Sequence, residues 1–258
     1  DAIANIGFIV GKKCVAVVDS GGSPAQGKQL KKIIQKITSV PICYVINTHV
    51  HPDHIFGNSA FRDITDIQFI GHKKLARAMS ERGPFYLARS EEQIAIKLTA
   101  DDIIIPTMNV KNTLELDLGN RIITLTAHPT AHTDNDLTVF DQKTNSLWLA
   151  DLLFIGHLPV LDGSLKGWLQ VINKLEKRRF DVVIPGHGPI VRDWPESLQP
   201  QKHYLQYLQK VVRSKIKNGV YLEDVLITVN YPAKDQWQLF NDFHKKNLSS
   251  AYAELEWE

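Results

Sequence analysis

The chain has 258 residues, 43% of them hydrophobic and 22% charged, with 15 glycines and 12 prolines; that composition describes a globular protein and excludes disordered, collagen-like and low-complexity classes. Thirty basic residues against 28 acidic give +2, which is no field for binding nucleic acid or an acidic membrane by charge. The length suits one large core with elaborations, and apolar runs such as Ile103 to Ile105 or Leu147 to Ala150 fall far short of the ~20 residues of a membrane span.

Phe8 to Val10 and Cys14 to Val18 read as a hairpin of two buried strands split by Gly11-Lys12-Lys13. Ser23 then caps a helix with Pro24 in its first turn and Leu30, Ile33, Ile34 and Ile37 along one face. A strand follows at Ile42 to Ile46, then a histidine-rich loop from His49 to His54, a short helix near Asn58 to Phe61 and a strand near Gln68 to Ile70. From His72 to Leu98 the pattern is helical, with an expected break at Gly83-Pro84.

Beyond that point strands dominate: Leu114 to Leu118, Arg121 to Ala127, Leu137 to Asp141 and Ser146 to Leu149. Ser164 to Arg178 is an amphipathic helix, and Val182 to Ile184 is a last core strand before Pro185-Gly186-His187-Gly188. Gln201 to Lys217 carries five basic and no acidic side chains beside an apolar stripe of Leu205, Leu208, Val212 and Ile216, the pattern of a helix packed on the core with a solvated outer face. Strand and helix order thus recurs in two similar halves. The expected division is a catalytic domain over residues 1–195 and a helical extension over 196–258 packed on the same domain. Cys14 and Cys43 lie in no cluster and make at most one bridge.

The densest chemistry is Thr48-His49-Val50-His51-Pro52-Asp53-His54, four metal-ligand side chains within six residues at a strand's end. They converge only if the backbone curls there, as Asn47 and Pro52 allow. Imidazole and carboxylate donors suit zinc, with iron and manganese as competitors because no thiolate is present to favour zinc.

This segment resembles the signature of the metallo-β-lactamase fold. The resemblance implies that His49 and His51 hold one metal and that Asp53 and His54 hold a second. Thr130-Ala131-His132-Thr133 is similar to the family's Gly-His-Thr element and makes His132 the third ligand of metal one, with His128 as its rival. Ala150-Asp151 matches the bridging aspartate, and Pro185-Gly186-His187-Gly188 the last histidine of metal two. The likeness spans roughly residues 3 to 190 and implies a mixed α/β fold, the four-layer αββα metallo-β-lactamase sandwich. Asp19 is expected to shape the floor of the site or to cap a turn. Asp134, Asn135 and Asp136 are candidates for orienting the imidazoles.

The implied activity is hydrolysis by a dinuclear zinc centre, in which a metal-bridging hydroxide attacks a carbonyl-type substrate such as a thioester or lactone. Asp53 is the candidate to orient the hydroxide and carry its proton to the leaving group. Asp151 stands where the broad-spectrum β-lactamases have cysteine, which leaves antibiotic cleavage as a side activity at most. Ala150 to Phe154 and His157 to Trp168 are similar to a narrower subgroup, the quinoprotein relay system zinc metallohydrolases, related to sulfur-oxidation-associated hydrolases. Members are exported bacterial proteins, so a periplasmic location is expected; the start at Asp1 suits a processed export product or a trimmed recombinant one alike. His157 and Asp162, in the loop over residues 157–164, are candidates for substrate contact. The expected partner is a small-molecule substrate and not nucleic acid, and no motif bears on oligomeric state. Two alternatives stand beside hydrolysis: a non-heme iron redox or sulfur-transfer enzyme on the same ligands, and a non-catalytic metal-binding module.

Overall fold

The structure is a computed structural model and describes residues 3–258. In chain order its elements are β1 (Gly7–Val10), β2 (Val15–Val18), α1 (Pro24–Ile37), β3 (Ile42–Ile46), α2 (Pro52–Ile55), β4 (Gln68–His72), α3 (Leu75–Ile94), β5 (Met108–Val110), β6 (Thr113–Asp117), β7 (Ile122–Ala127), β8 (Leu137–Asp141), β9 (Ser146–Phe154), α4 (Leu165–Leu175), β10 (Val182–His187), α5 (Gln199–Lys217), α6 (Leu222–Thr228) and α7 (Phe240–Leu255). The strands form two five-stranded sheets, ordered β1-β2-β3-β4-β5 and β10-β9-β8-β7-β6. Two compact units result. One holds the described residues up to Ala127 together with Leu137–Trp148, and the other holds His128–Asp136 and Leu149–Glu258.

In the first unit β1 and β2 form the expected antiparallel hairpin, while β2, β3, β4 and β5 run parallel. Parallel strands covered on both faces carry continuous apolar runs, and β2 reads Val-Ala-Val-Val. Its alternation divides the layers. Ala16 and Val18 join Ile46, Ile70, Leu125 and Val139 in the core between the two sheets. Val15 and Val17 face the other way, against Leu30 and Ile34 of α1. The layer order within this unit is therefore helix, sheet, sheet. Cys14, just before β2, and Cys43, in β3, are disulfide-bonded with Cα atoms 5.6 Å apart.

Three local expectations change. Ser23 does cap α1, its hydroxyl accepting from the Gln26 N–H, but Ile33 and Ile37 are 41% and 63% exposed. The helix meets the sheet along the narrower Leu30–Ile34 line, so the apolar face is only half used. Helix α3 runs unbroken through Pro84. Proline disfavours helix in the residue before it by clashing with that residue's Cβ, and here that residue is Gly83, which has none. Asp53 and His54 lie not in open loop but on the single turn of α2, which Pro52 starts at its first position.

In the second unit α4 lies against β9, and the indole N–H of Trp168 donates to Leu152 O at 3.1 Å. Ser164 caps α4 by accepting from the Gly167 N–H at 3.0 Å. Burial along β9 alternates up to Leu149 and then becomes continuous. The change falls at Ala150, whose left-handed φ of 47° interrupts the extended repeat just before Asp151. Tyr204, Leu205, Leu208 and Val212 of α5 are fully buried, as are Leu248 and Ala251 of α7, so the C-terminal helices are packed into this unit through apolar faces.

Candidate metal centre

In the first unit the parallel strand β3 ends at Ile46, and the chain turns through Asn47 into the histidine segment. Two buried amides hold that turn: Asn58 Nδ2 donates to Asn47 Oδ1 at 2.7 Å, and Asn47 Nδ2 donates to Asn58 Oδ1 at 3.1 Å and to His54 O at 3.2 Å. Ser20 Oγ donates to the same Asn58 oxygen at 2.7 Å. The curl is thus fixed by side chains that the polar-loop pattern only hints at.

His49, His51, Asp53 and His54 are brought together by this turn. The ring centroids of His49 and His51 are 4.7 Å apart and those of His49 and His54 are 4.2 Å apart. His54 Nε2 lies 3.6 Å from Asp53 Oδ2. Beneath them, Asp19 takes a left-handed φ of 54° and buries its carboxylate, accepting from the Thr48 N–H at 2.8 Å and from Thr48 Oγ1 at 2.7 Å. His54 Nδ1 is 2.8 Å from the same carboxylate. An ionised carboxylate only accepts, so His54 carries its proton on Nδ1 and its lone pair on Nε2. The Thr48 hydroxyl spends its proton on Asp19, so it accepts from His49 Nδ1 at 3.1 Å. That leaves His49, too, with its lone pair on Nε2.

The second unit repeats the pattern. His132 is fully buried in the turn between β7 and β8, and its Nδ1 lies 2.7 Å from Val160 O, an acceptor, so its lone pair is also on Nε2. That Nε2 is 3.4 Å from Asp151 Oδ2, and His187 Nε2 is 3.4 Å from the same oxygen. The His187 ring stacks on Phe154 at 5.0 Å between centroids, nearly parallel. Gly186 permits the approach: a Cβ there would lie 1.8 Å from Asp151 Oδ1. Carboxylate oxygen and imidazole nitrogens converging in this way, with the His132 ring oriented through its other nitrogen, are donors of the type that bind divalent transition metals.

His128 is only half-buried and its backbone N–H donates to Asp136 O, while His132 is the histidine beside Asp151. Asp136 braces the turn and not the imidazole: it accepts from the Thr133 N–H at 3.0 Å and from Thr133 Oγ1 at 2.6 Å. Burial lifts its carboxyl to about 7 against these stabilising bonds. Asn135 Nδ2 donates to Asp134 Oδ1, which also stays within the turn. His157 stacks on His187 at 5.1 Å and packs on Phe243 at 5.6 Å. The Asp162 side chain is exposed, and its backbone N–H donates to His132 O at 3.1 Å. The sequence reading passes over the Val160 carbonyl, because a backbone acceptor leaves no mark in residue type.

A family model described as the metallo-beta-lactamase superfamily matches residues 1–187. A linear primary-alkylsulfatase of Pseudomonas sp. (strain ATCC 19151) is 22% identical over 207 residues, which cover 67% of this chain and 39% of that protein. This chain therefore spans about two fifths of that curated relative. Among solved structures, a metallo-beta-lactamase from Pontibacter korlensis superposes with a TM-score of 0.64 at 19% identity, covering 77% of this chain and 85% of that one. The stereoselective inverting sec-alkylsulfatase Pisa1 from Pseudomonas sp. superposes with a TM-score of 0.75 at 17% identity, covering 97% of this chain and 47% of that one. The shared fold is the αββα sandwich, and the chain belongs to the metallo-β-lactamase superfamily.

Proposed function

We propose that this chain is a metal-dependent hydrolase with a dinuclear centre, in which His49, His51 and His132 hold one ion, Asp53, His54 and His187 hold the other, and Asp151 serves both. One observation carries the reading: in each unit the buried imidazoles commit Nδ1 to an oxygen acceptor and present Nε2 as the coordinating nitrogen, His49 and His54 in the first and His132 in the second. These donors suit zinc, and because no thiolate is present to favour it, iron and manganese compete. When bound, two such ions supply a nucleophile at neutral pH and polarise the bond to be cleaved.

The chain's own groups divide the remaining work. Asp53, with 23% of its side chain exposed, takes the proton of the attacking water and passes it to the leaving group. Asp151, whose Oδ2 lies 3.4 Å from Nε2 of both His132 and His187, would balance the charge of bound ions. His157, stacked on His187, and Asp162 contact the substrate. A small carbonyl ester, thioester or lactone fits this division of roles. A sulfate ester is the second reading, and the observation that favours it is the extent of the likeness to the alkylsulfatase: 97% of this chain is covered, so α5 to α7 are included, whereas the β-lactamase-type structure covers 77%.

The location we propose is the periplasm. The Cys14–Cys43 bridge supports it, because structural disulfides persist in oxidising compartments. Metal analysis of natively purified protein, with a hydrolysis panel of thioesters, lactones and alkyl sulfates on the zinc-loaded form, tests the function. Two zinc ions per chain and turnover of one substrate class uphold it. Two iron ions with a visible absorption band would replace it with redox or sulfur-transfer chemistry, and complete inactivity of loaded protein with a non-catalytic module.

A further inference from the structure

His132 owes its ring orientation to the Val160 carbonyl, and Val160 sits in an irregular segment between β9 and α4. Unsupported, such a segment carries little orienting power, since a loop carbonyl that rotates by a few tens of degrees no longer meets the Nδ1–H. Here the residues on both sides of Val160 are gripped by one side chain from α7. Asn247 Nδ2 donates to Pro159 O at 2.7 Å, and Asn247 Oδ1 accepts from the Leu161 N–H at 2.9 Å. The second amide proton of Asn247 goes to Tyr204 Oη at 3.1 Å, and the amide is completely buried.

The two main-chain partners fix which way the amide faces, and Tyr204 receives its remaining proton. Having accepted from Asn247, its hydroxyl donates to His244 Nδ1 at 3.0 Å. An amide flipped by half a turn would set its NH2 against the Leu161 N–H and its oxygen against Pro159 O, losing both bonds. Two turns further along α7, the Glu254 carboxylate accepts from Ser164 Oγ and from the Leu165 N–H, each at 2.6 Å, which ties down the far end of the segment. Nothing in the chain order links residues 247 and 204 to His132, and the connection is visible only in three dimensions.

We infer that Asn247 is a positioning residue for His132, acting through the main chain of Pro159 to Leu161 so that the Val160 carbonyl keeps His132 protonated on Nδ1 and its Nε2 directed at Asp151. The inference rests on the proposed role of His132 as a metal ligand. It adds that the C-terminal helix, outside the span matched by the family model, is part of what makes the ligand competent.

Two readouts on the full chain test it: the long-range 15N–1H correlation of the His132 ring in metal-free protein, and zinc affinity by competition with a chromophoric chelator. Asn247→Ala removes every bond of the amide, and Asn247→Leu does so while keeping the volume, so that one folded variant is obtained even if the alanine chain collapses. The expected result is a His132 ring that no longer holds the single Nδ1–H tautomer and zinc affinity about tenfold weaker, the lower end of the effect of outer-sphere partners. Tyr204→Phe, which leaves the grip on Pro159 and Leu161 intact, keeps both readouts at the wild-type value. A folded Asn247 variant with the wild-type tautomer and wild-type zinc affinity would overturn the inference. Failure of the wild-type chain itself to bind zinc would instead overturn the proposed function, and the tautomer comparison still decides the role of Asn247.

Discussion

His54 Nδ1 lies 2.8 Å from Asp19 Oδ2 with both side chains shut off from solvent, so one carboxylate orients a ring contributed from 35 residues further along the chain. The same carboxylate accepts from the backbone and hydroxyl of Thr48, and Thr48 accepts from His49. Asp19→Ala strands three donors at once. The expected outcome is a loss of about 2–3 kcal/mol in urea unfolding of the metal-free protein, the cost of buried polar groups left unpaired. Asp19→Asn preserves the shape but offers only one accepting oxygen, and is expected to weaken zinc binding 10- to 100-fold. A wild-type zinc titration of the asparagine variant would refute the orienting role.

Gly186 is the residue that lets His187 and Asp151 meet. With its Cβ 1.8 Å from Asp151 Oδ1, alanine cannot enter without moving the carboxylate or β10. Overpacking of this kind costs roughly 1–3 kcal/mol. Gly186→Ala is expected to fold with a lowered unfolding midpoint and to bind less than its full metal complement, read by elemental analysis after dialysis. Full metal content together with unchanged stability would show that β10 yields freely at this point.

The histidine segment was legible because metal ligation demands particular residue types at short spacing, and a strand terminus is where such side chains can converge. His132, Asp151 and His187 were legible only through chain order: each is one residue in an ordinary turn, and spacing alone marks none of them. What escaped the sequence is backbone chemistry and long-range side-chain contact. Val160 acts through its carbonyl; Asp19 is expected at the floor of the site, but its bonds to Thr48 and His54 across a parallel crossover are not. The fold shows the same division. The strands from β1 to β4 follow from β-branched runs between turn residues, whereas the break expected at Pro84 is absent because Gly83 relieves the clash, and β5 is too short to stand out from its surroundings. The exposure of Ile33 and Ile37 depends on how α1 is rotated against the sheet, which periodicity does not determine.

Reduction of the Cys14–Cys43 bridge is expected to cost stability without requiring any change in the native contacts. The bridge closes a loop across a sequence separation of 29 residues. The chain-entropy treatment gives about 3–4 kcal/mol for a loop of that size, as restriction of the unfolded chain. Urea unfolding with and without reductant measures it, and a Cys14→Ser/Cys43→Ser double variant should match the reduced wild type. If reductant left the unfolding midpoint in place while thiol titration showed two free cysteines, the bridge would contribute nothing.

Arg121 and Asp141 offer a test in acid that stays within the first unit. The guanidinium engages the carboxylate through Nε at 3.1 Å and through a terminal nitrogen at 2.5 Å, and its other terminal nitrogen donates to Val10 O at 2.9 Å. Burial alone would raise the Asp141 carboxyl; the bonds from Arg121, the Thr144 hydroxyl and the Lys143 N–H outweigh it and hold the group below the usual carboxylate range. A carboxyl lowered by folding stabilises the native state above its unfolded value of about 3.9, and that contribution is lost as pH falls through the lower native value. Arg121→Gln reverses the sign, since a buried carboxylate without its cation favours the protonated form. The variant is therefore expected to be about 3 kcal/mol less stable than wild type at pH 7, within the range for a broken buried pair. The gap should narrow as pH drops toward 3, because wild type then loses what the variant never had. Urea midpoints at three or four pH values read it directly, and a gap that stays constant across that range would assign the loss to packing of the arginine stem and not to the charge pair.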